Sequence, residues 1–339
     1  MRISATIAAL ALALSAPAWS QGQPGPETPV DVAAIPGVVS GDAQWEIAWS
    51  GPMIVDGMAT AADGSLLFAQ EQSNSIFKVW PDGRWWVQWP FVTGAGSVSI
   101  DAQGRTFAAD RSCTDPGLGL GANCTILSKI VQLTPERKVV ADKFADGSTL
   151  GRINDLAADG HGGAYYTQGG LFHAKADGMV ETIAPAGNPQ QGGLFTNGLV
   201  LSPDGKTLYV TNRLTILAFD VGADGAVSNR RDFATLVGEP QGSFGGDGMT
   251  VDADGRLYVT CGSGICVFDK AGTAKGIDCL RMYESEWREK DKVLSLRPKH
   301  NWASHGADAF RTCVMGIEER RKSFVTPEER YQGAESWMN

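Results

Sequence analysis

Along residues 45–276, apolar and polar positions alternate in short runs, and the runs come in pairs around a glycine. In DGMTVDADGRLYVT, which starts at Asp247, Met249 and Val251 are answered across Asp254-Gly255 by Leu257, Tyr258 and Val259. A period of two predicts paired β-strands, and Asp-Gly predicts a tight turn between them. The pattern recurs in DGMATAADGSLLFA from Asp56, GSVSIDAQGRTFAA from Gly96, NDLAADGHGGAYYT from Asn154 and NGLVLSPDGKTLYVT from Asn197. A second, weaker hairpin follows each copy: FKVWPDGRWW, VQLTPERKVV, FHAKADGMVE, LAFDVGADGAV and VFDKAGTAKG.

Each unit therefore reads strand, turn, strand, loop, strand, turn, strand, and the primary turn glycines lie 40 to 58 residues apart. A repeat of that length with four strands predicts an all-β chain of the β-propeller type, with about five blades present. Such blades bury their faces only against their neighbours. A β-sandwich with repetitive hairpins is the alternative, but a sandwich does not require one motif at one register in every unit.

The innermost strand of each blade faces the propeller axis, so one register position recurs around it. Eight residues before the turn glycine stand Asp56, Gly96, Asn154, Asn197 and Asp247. Taken singly, Asp-Gly and Asn-Gly are ordinary turn dipeptides. Four short oxygen-bearing side chains converging on one axis suggest more, because carboxylates brought together repel unless a positive charge sits between them. Oxygen donors without His or Cys suit a hard divalent cation such as Ca²⁺, expected first, or Mg²⁺; Mn²⁺ and Zn²⁺ stay as alternatives. His161 and His173 fall off this register and read as structural or surface residues.

Composition refines this picture at both ends. The chain has 339 residues, 43% hydrophobic, with a net charge of −9, which argues against a nucleic-acid groove in the propeller. Residues 1–20 read as a signal peptide: Arg2, the apolar run Ile7 to Leu14, then Ala18-Trp19-Ser20. The run is too short to span a membrane, so the expected location is periplasmic or secreted, free of the membrane once the signal is removed. Residues 21–44 read as a linker. Cys113 and Cys124 bracket a glycine-rich loop that a disulfide would stiffen. Cys261 and Cys266 read either as neighbours on paired strands or as two buried thiols. Beyond residue 276 the composition breaks: residues 277–339 hold 11 Lys/Arg, 11 Asp/Glu and only 3 of the 42 glycines. Helical patterning replaces hairpins there, as in CLRMYESEWREKDKV and SHGADAFRTCVMGIEERRKS.

RINDLAADGHGGAYYT, TNGLVLSPDGKTLYVT and GDGMTVDADGRLYVT resemble the senescence marker protein/gluconolactonase/luciferin-regenerating-enzyme family over roughly residues 45–276. The resemblance implies a six-bladed propeller with one divalent cation on its axis. It also implies lactone opening by ester hydrolysis, with a small-molecule lactone or sugar-acid substrate. The family takes its ligands from a Glu ahead of the first blade strand, an Asn in NGL and an Asp in DGM. These map to Asp56, Asn197 and Asp247, with Asn154 nearby. Asp56 departs from the pattern by one methylene. The R-x-N-D motif maps to Arg152, Asn154 and Asp155, which implies substrate binding by Arg152 and Asn154; a salt bridge is the plainer role for Arg152. Asp247 and Asp155 are the candidate catalytic carboxylates, Asp247 first. A cation polarises the carbonyl and a neighbouring carboxylate takes a proton from water.

Two other classes share the architecture: a non-catalytic propeller binding a small molecule or partner, and a strictosidine-synthase-like or phosphotriesterase-like relative. The tail stretch EWREKDKVLSLRPKHNWASHGADAFRTCVMG resembles the C-terminal end of phage terminase large subunits, where the position of Asp308 is a metal ligand of a nuclease. The rest of that nuclease is missing, so a chimera without nuclease activity is expected. The first and fifth blades are then expected to expose uncovered faces, at a cost to stability and activity.

Overall fold

The turn glycines Gly64, Gly104, Gly162, Gly205 and Gly255 all take positive φ, between 69° and 101°, a backbone that side chains with a β-carbon rarely adopt. Each joins the first two strands of a blade. A computed structural model describes residues 34–35, 38–40, 42–43, 47–50, 55–111, 127–188, 191–237, 239, 245–261 and 264–272, and the strands 285–288 and 293–298. The expected signal peptide, the Cys113–Cys124 loop and Asp308 lie outside the described residues.

Blade one is β1 (Val55–Thr60), β2 (Leu66–Gln70), β3 (Ser75–Val79) and β4 (Trp85–Pro90). Blade two is β5 (Ser97–Ile100), β6 (Thr106–Asp110), β7 (Lys129–Thr134) and β8 (Lys138–Ala141). Blade three is β9 (Leu156–Ala158), β10 (Ala164–Gln168), β11 (Gly170–Ala174) and β12 (Val180–Ala184). Blade four is β13 (Thr196–Leu201), β14 (Thr207–Asn212), β15 (Thr215–Val221) and β16 (Val227–Thr235). Blade five has three described strands, β17 (Met249–Val251), β18 (Leu257–Cys261) and β19 (Gly264–Phe268). Every blade is an antiparallel meander in sequence order. The first strands run side by side, β1 by β5, β5 by β9, β9 by β13 and β13 by β17. The expected five-blade, all-β propeller is therefore what forms.

The period of two explains the core. Tyr166 of β10 packs toward blade two with Phe107 and Ile130, whereas its neighbour Tyr165 packs toward blade four with Leu208 and Phe219. Leu67 and Ile76 likewise join blade one to Val98 and Val131 of blade two, and Ile216 joins blade four to Val259 and Phe268 of blade five.

One expectation is met in part and another needs correction. Blade one leaves Trp85, Trp86 and Val87 of β4 exposed, but the outward faces of blades one and five are partly covered. Trp49 lies on Phe68 and Phe77, with ring centroids 5.1 and 5.8 Å away, and closes a cluster with Met58 and Val79. Ile35 and Val38, in the stretch read as linker, pack on Tyr258, Ile265 and Val267 of blade five. These isolated apolar residues cover surface that would otherwise meet water. In the tail, β20 (Ser285–Arg288) and β21 (Val293–Pro298) pair as an antiparallel hairpin where a helix was expected. Leu294 and Leu296 alternate with Ser295 and Arg297, a strand period that the surrounding charge pattern obscured.

Candidate active site at the inner rim

The register residues enter through local irregularities of the first strands. The β1–β2 register shifts between Asp56 and Met58, and the β13–β14 register shifts between Thr196 and Leu199, around Asn197. Such bulges re-aim side chains and recur beside active sites. The glycines after Asp56 and Asn197 have a packing reason. A β-carbon at Gly57 would stand 2.4 Å from Ser97 Cα, and one at Gly198 would stand 2.5 Å from the Asp247 carbonyl oxygen. Neighbouring inner strands approach so closely that only glycine fits.

Threonines at the ends of the second strands latch one blade to the next. Thr167 Oγ1 donates to the Asn197 carbonyl. Thr211 Oγ1 donates to the Asp247 carbonyl at 3.2 Å. Within blade five, the Asp247 N–H donates to the Thr260 carbonyl at 2.8 Å, and Thr260 returns its N–H to Gly248 at 3.0 Å. Asp247 is thus held through its own backbone from two sides, by the Thr211 hydroxyl and the Thr260 carbonyl.

An ion-pair network not foreseen in the sequence fills the rim between blades one, two and three. Buried Arg111 places Nη1 3.0 Å from Asp56 Oδ2 and 3.2 Å from Glu71 Oε2. Its Nε donates to the Ile153 carbonyl at 2.7 Å and its Nη2 to the Asn154 carbonyl at 2.9 Å. Burial works against this charge, but Asp56, Glu71 and Asp155 more than offset it, and Arg111 stays firmly protonated. Glu71 also holds Arg152, whose Nη2 lies 2.5 Å from Oε1, so Arg152 does form a salt bridge, with Glu71, distant in sequence, and not with a neighbouring Asp. The Arg152 side chain is 39% exposed.

Asp247 has the opposite environment. It is half-buried as a residue, yet lost hydration is the largest influence on its carboxyl. Asp56 and Asp155 add repulsion, and together they push it up to about 7. Asp155 is buried and tied to three blades: it accepts Ser97 Oγ at 2.6 Å, the Leu156 N–H at 2.8 Å and the Leu199 N–H at 3.2 Å. That geometry makes it a joint of the rim. Asn154 and Asn197 are half-buried, and neither amide side chain finds a partner among the described residues. No three His, Cys, Asp or Glu side chains among the described residues group as a metal cluster. The expected donor set is instead mixed, two carboxylates and two amides. His173 is 2.8 Å from Asp159, with its ring tilted against Tyr165 at a centroid distance of 4.4 Å.

Glu71 and Arg111 follow directly on LLFAQ and TFAAD, at the ends of second strands. The repeat drew attention to the start of the first strand, and nothing periodic marks these ends in blades one and two.

Residues 58–278 match the SMP-30/Gluconolactonase/LRE-like region. The chain is 27% identical over 282 residues to lactonase drp35 of Staphylococcus aureus, covering 78% of this chain and 79% of that protein. It is 25% identical over 242 residues to a gluconolactonase of Zymomonas mobilis, covering 61% of this chain and 62% of that protein. Among solved structures, a gluconolactonase of Xanthomonas campestris superposes with a TM-score of 0.55 at 23% identity, over 75% of this chain and 88% of that one. That last likeness bears on the fold.

Proposed function

The chain belongs to the SMP-30/Gluconolactonase/LRE-like family, and on that premise we propose that it opens a lactone by hydrolysis at the inner rim, with Asp247 as the base. The observation that carries this reading is that Asp56, paired with the buried guanidinium of Arg111 at 3.0 Å, and Asp155 both act electrostatically on Asp247. A carboxylate placed beside a cation site can take a proton from an attacking water.

Asp56, Asp247, Asn154 and Asn197 would hold the divalent cation, Ca²⁺ first by the chemistry of an all-oxygen set. Their fit rests on the two amides that have no side-chain partner among the described residues and on the mutual repulsion of the carboxylates. When bound, the cation supplies positive charge facing the oxygen that becomes negative as the carbonyl is attacked. Asp247 takes the proton from water as the water oxygen bonds to the lactone carbon. The ring C–O bond then breaks, and the same proton passes to the departing ring oxygen, giving a hydroxy acid. Arg152, tethered by Glu71, directs donors at hydroxyl or carboxylate groups of the substrate, which favours sugar-acid lactones. Asp155 keeps the rim strands in place.

One observation favours a second reading, a binding propeller without turnover: Arg111 already balances Asp56 and Glu71. A lactone panel followed by acid release in a pH-stat separates the two. The enzyme reading expects release that a chelator stops and Asp247→Asn abolishes. Saturable lactone binding without acid release would leave the binding reading.

A further inference from the structure

Blade five carries a second piece of chemistry, outside the rim. Strands β18 and β19 pair Val259 with Cys266 and Cys261 with Gly264, so Cys261 and Cys266 are diagonal neighbours on one face of the hairpin. Both are buried, and their sulphurs lie 2.9 Å apart. Their cluster is apolar, with Met249, Leu257, Val259 and Phe268. Such surroundings disfavour a thiolate and with it a role as nucleophile or metal ligand. They suit a structural bond, and sulphurs already this close need only a small adjustment to reach bonding distance.

We propose that Cys261 and Cys266 form a disulfide that locks the hairpin behind Asp247. The oxidant is a second disulfide, of a small thiol or of a thiol oxidase. One cysteine thiolate attacks it, releasing a thiol and leaving a mixed disulfide; the other cysteine then displaces the second thiol. Two cysteine thiols become one disulfide while the oxidant disulfide becomes two thiols. Exchange takes place as the hairpin forms or opens, and the closed bond is shielded in the core.

The position gives the bond a consequence at the site. Thr260 stands between Val259 and Cys261 and makes both backbone bonds that hold Asp247 and Gly248, reinforced by Thr260 Oγ1 to the Gly248 carbonyl at 2.9 Å. Closing the six-residue loop from Cys261 to Cys266 fixes the strand on which Asp247 hangs. This inference rests on the hairpin alone and is independent of the hydrolytic reading.

The test uses the full chain refolded in a glutathione redox buffer and, in parallel, in dithiothreitol. Remaining thiols are alkylated, and unreduced digests are read by mass spectrometry. The expected result is a peptide linking Cys261 to Cys266, lighter by two hydrogens than the sum of its thiol forms. The oxidised chain should also melt roughly 3 to 8 °C higher, a gain that Cys261→Ala and Cys266→Ala remove. Alkylation of both residues in the oxidised chain, or linkage of either to another cysteine, overturns the pairing. A linked peptide with no gain in melting temperature overturns the locking role. The peptide map on the unsubstituted chain stands even if either variant fails to fold.

Discussion

The Arg111 guanidinium occupies the space that a side chain at residue 96 would need: a β-carbon on Gly96 would stand 2.1 Å from Arg111 Nε. Gly96 is the one register position without an oxygen-bearing side chain, and Arg111 is the reason. Blade two contributes a cation to the rim where the other blades contribute an acid or an amide. From there Arg111 pairs with Asp56 and Glu71 and bonds to the chain at Ile153 and Asn154.

Arg111→Met should therefore be among the most destabilising single changes in the protein. It strands the buried Asp56 and Glu71 without their partner, a loss of about 3–5 kcal/mol. Gly96→Ala should act in the same direction, by about 1–3 kcal/mol, through overpacking against the guanidinium. Urea unfolding of both variants checks this. A Gly96→Ala protein as stable as its parent would show that the guanidinium can be moved at little cost.

The raised carboxyl of Asp247 fixes a sign for pH dependence. The unfolded chain loses this proton near the ordinary aspartate value of 3.8, whereas the folded chain keeps it up to about 7. Between those values the folded state binds more protons, so the contribution of Asp247 to stability is full below about 4 and is lost as pH rises toward 7. With chelator present, the stability difference between the parent and Asp247→Asn should shrink, then reverse, across that window. A divalent cation competes with the proton, so its stabilising effect should grow as pH rises through 7. A difference that stays flat from pH 4 to 8 would contradict the environment described for Asp247.

In turnover, Asp247 and Arg152 should fail differently. Asp247→Asn removes proton transfer and should lower kcat by about 10²–10⁴. Arg152→Ala, and Glu71→Gln through it, should chiefly raise KM, since both act on substrate placement. Equal losses confined to KM in all three variants would remove Asp247 from the chemistry.

The fold was legible because two local signals coincide in every blade, the alternation of apolar residues and a turn glycine at fixed register. The rim residues Asp56, Asn154, Asn197 and Asp247 were legible for the same reason. Glu71 and Arg111 were hidden because the ends of the second strands differ between blades: Gln-Glu in blade one, Asp-Arg in blade two, threonine in the rest. Their meaning lies in contacts to residues 40 or more positions away. Ile35, Val38 and Trp49 were hidden too, as single apolar residues among Gly, Pro and Ser carry no period.

Those three residues support a last prediction. If the stretch before blade one were only a linker, truncating its apolar side chains would leave stability unchanged. The structure instead places Trp49 on Phe68 and Phe77 of blade one and buries Ile35 against blade five. Ile35→Ala should cost about 2–4 kcal/mol, as for other buried aliphatic truncations. Trp49→Ala should cost less than a fully buried aromatic, about 1–3 kcal/mol, because Trp49 is half-buried. The two residues sit on different blades and share no cluster, so the losses should add to within about 0.5 kcal/mol in the double variant. Exposed apolar faces should also make the double variant associate, visible as a concentration-dependent shift in light scattering. Unfolding curves that coincide with the parent's for both single variants would return residues 34–50 to the role of a tether.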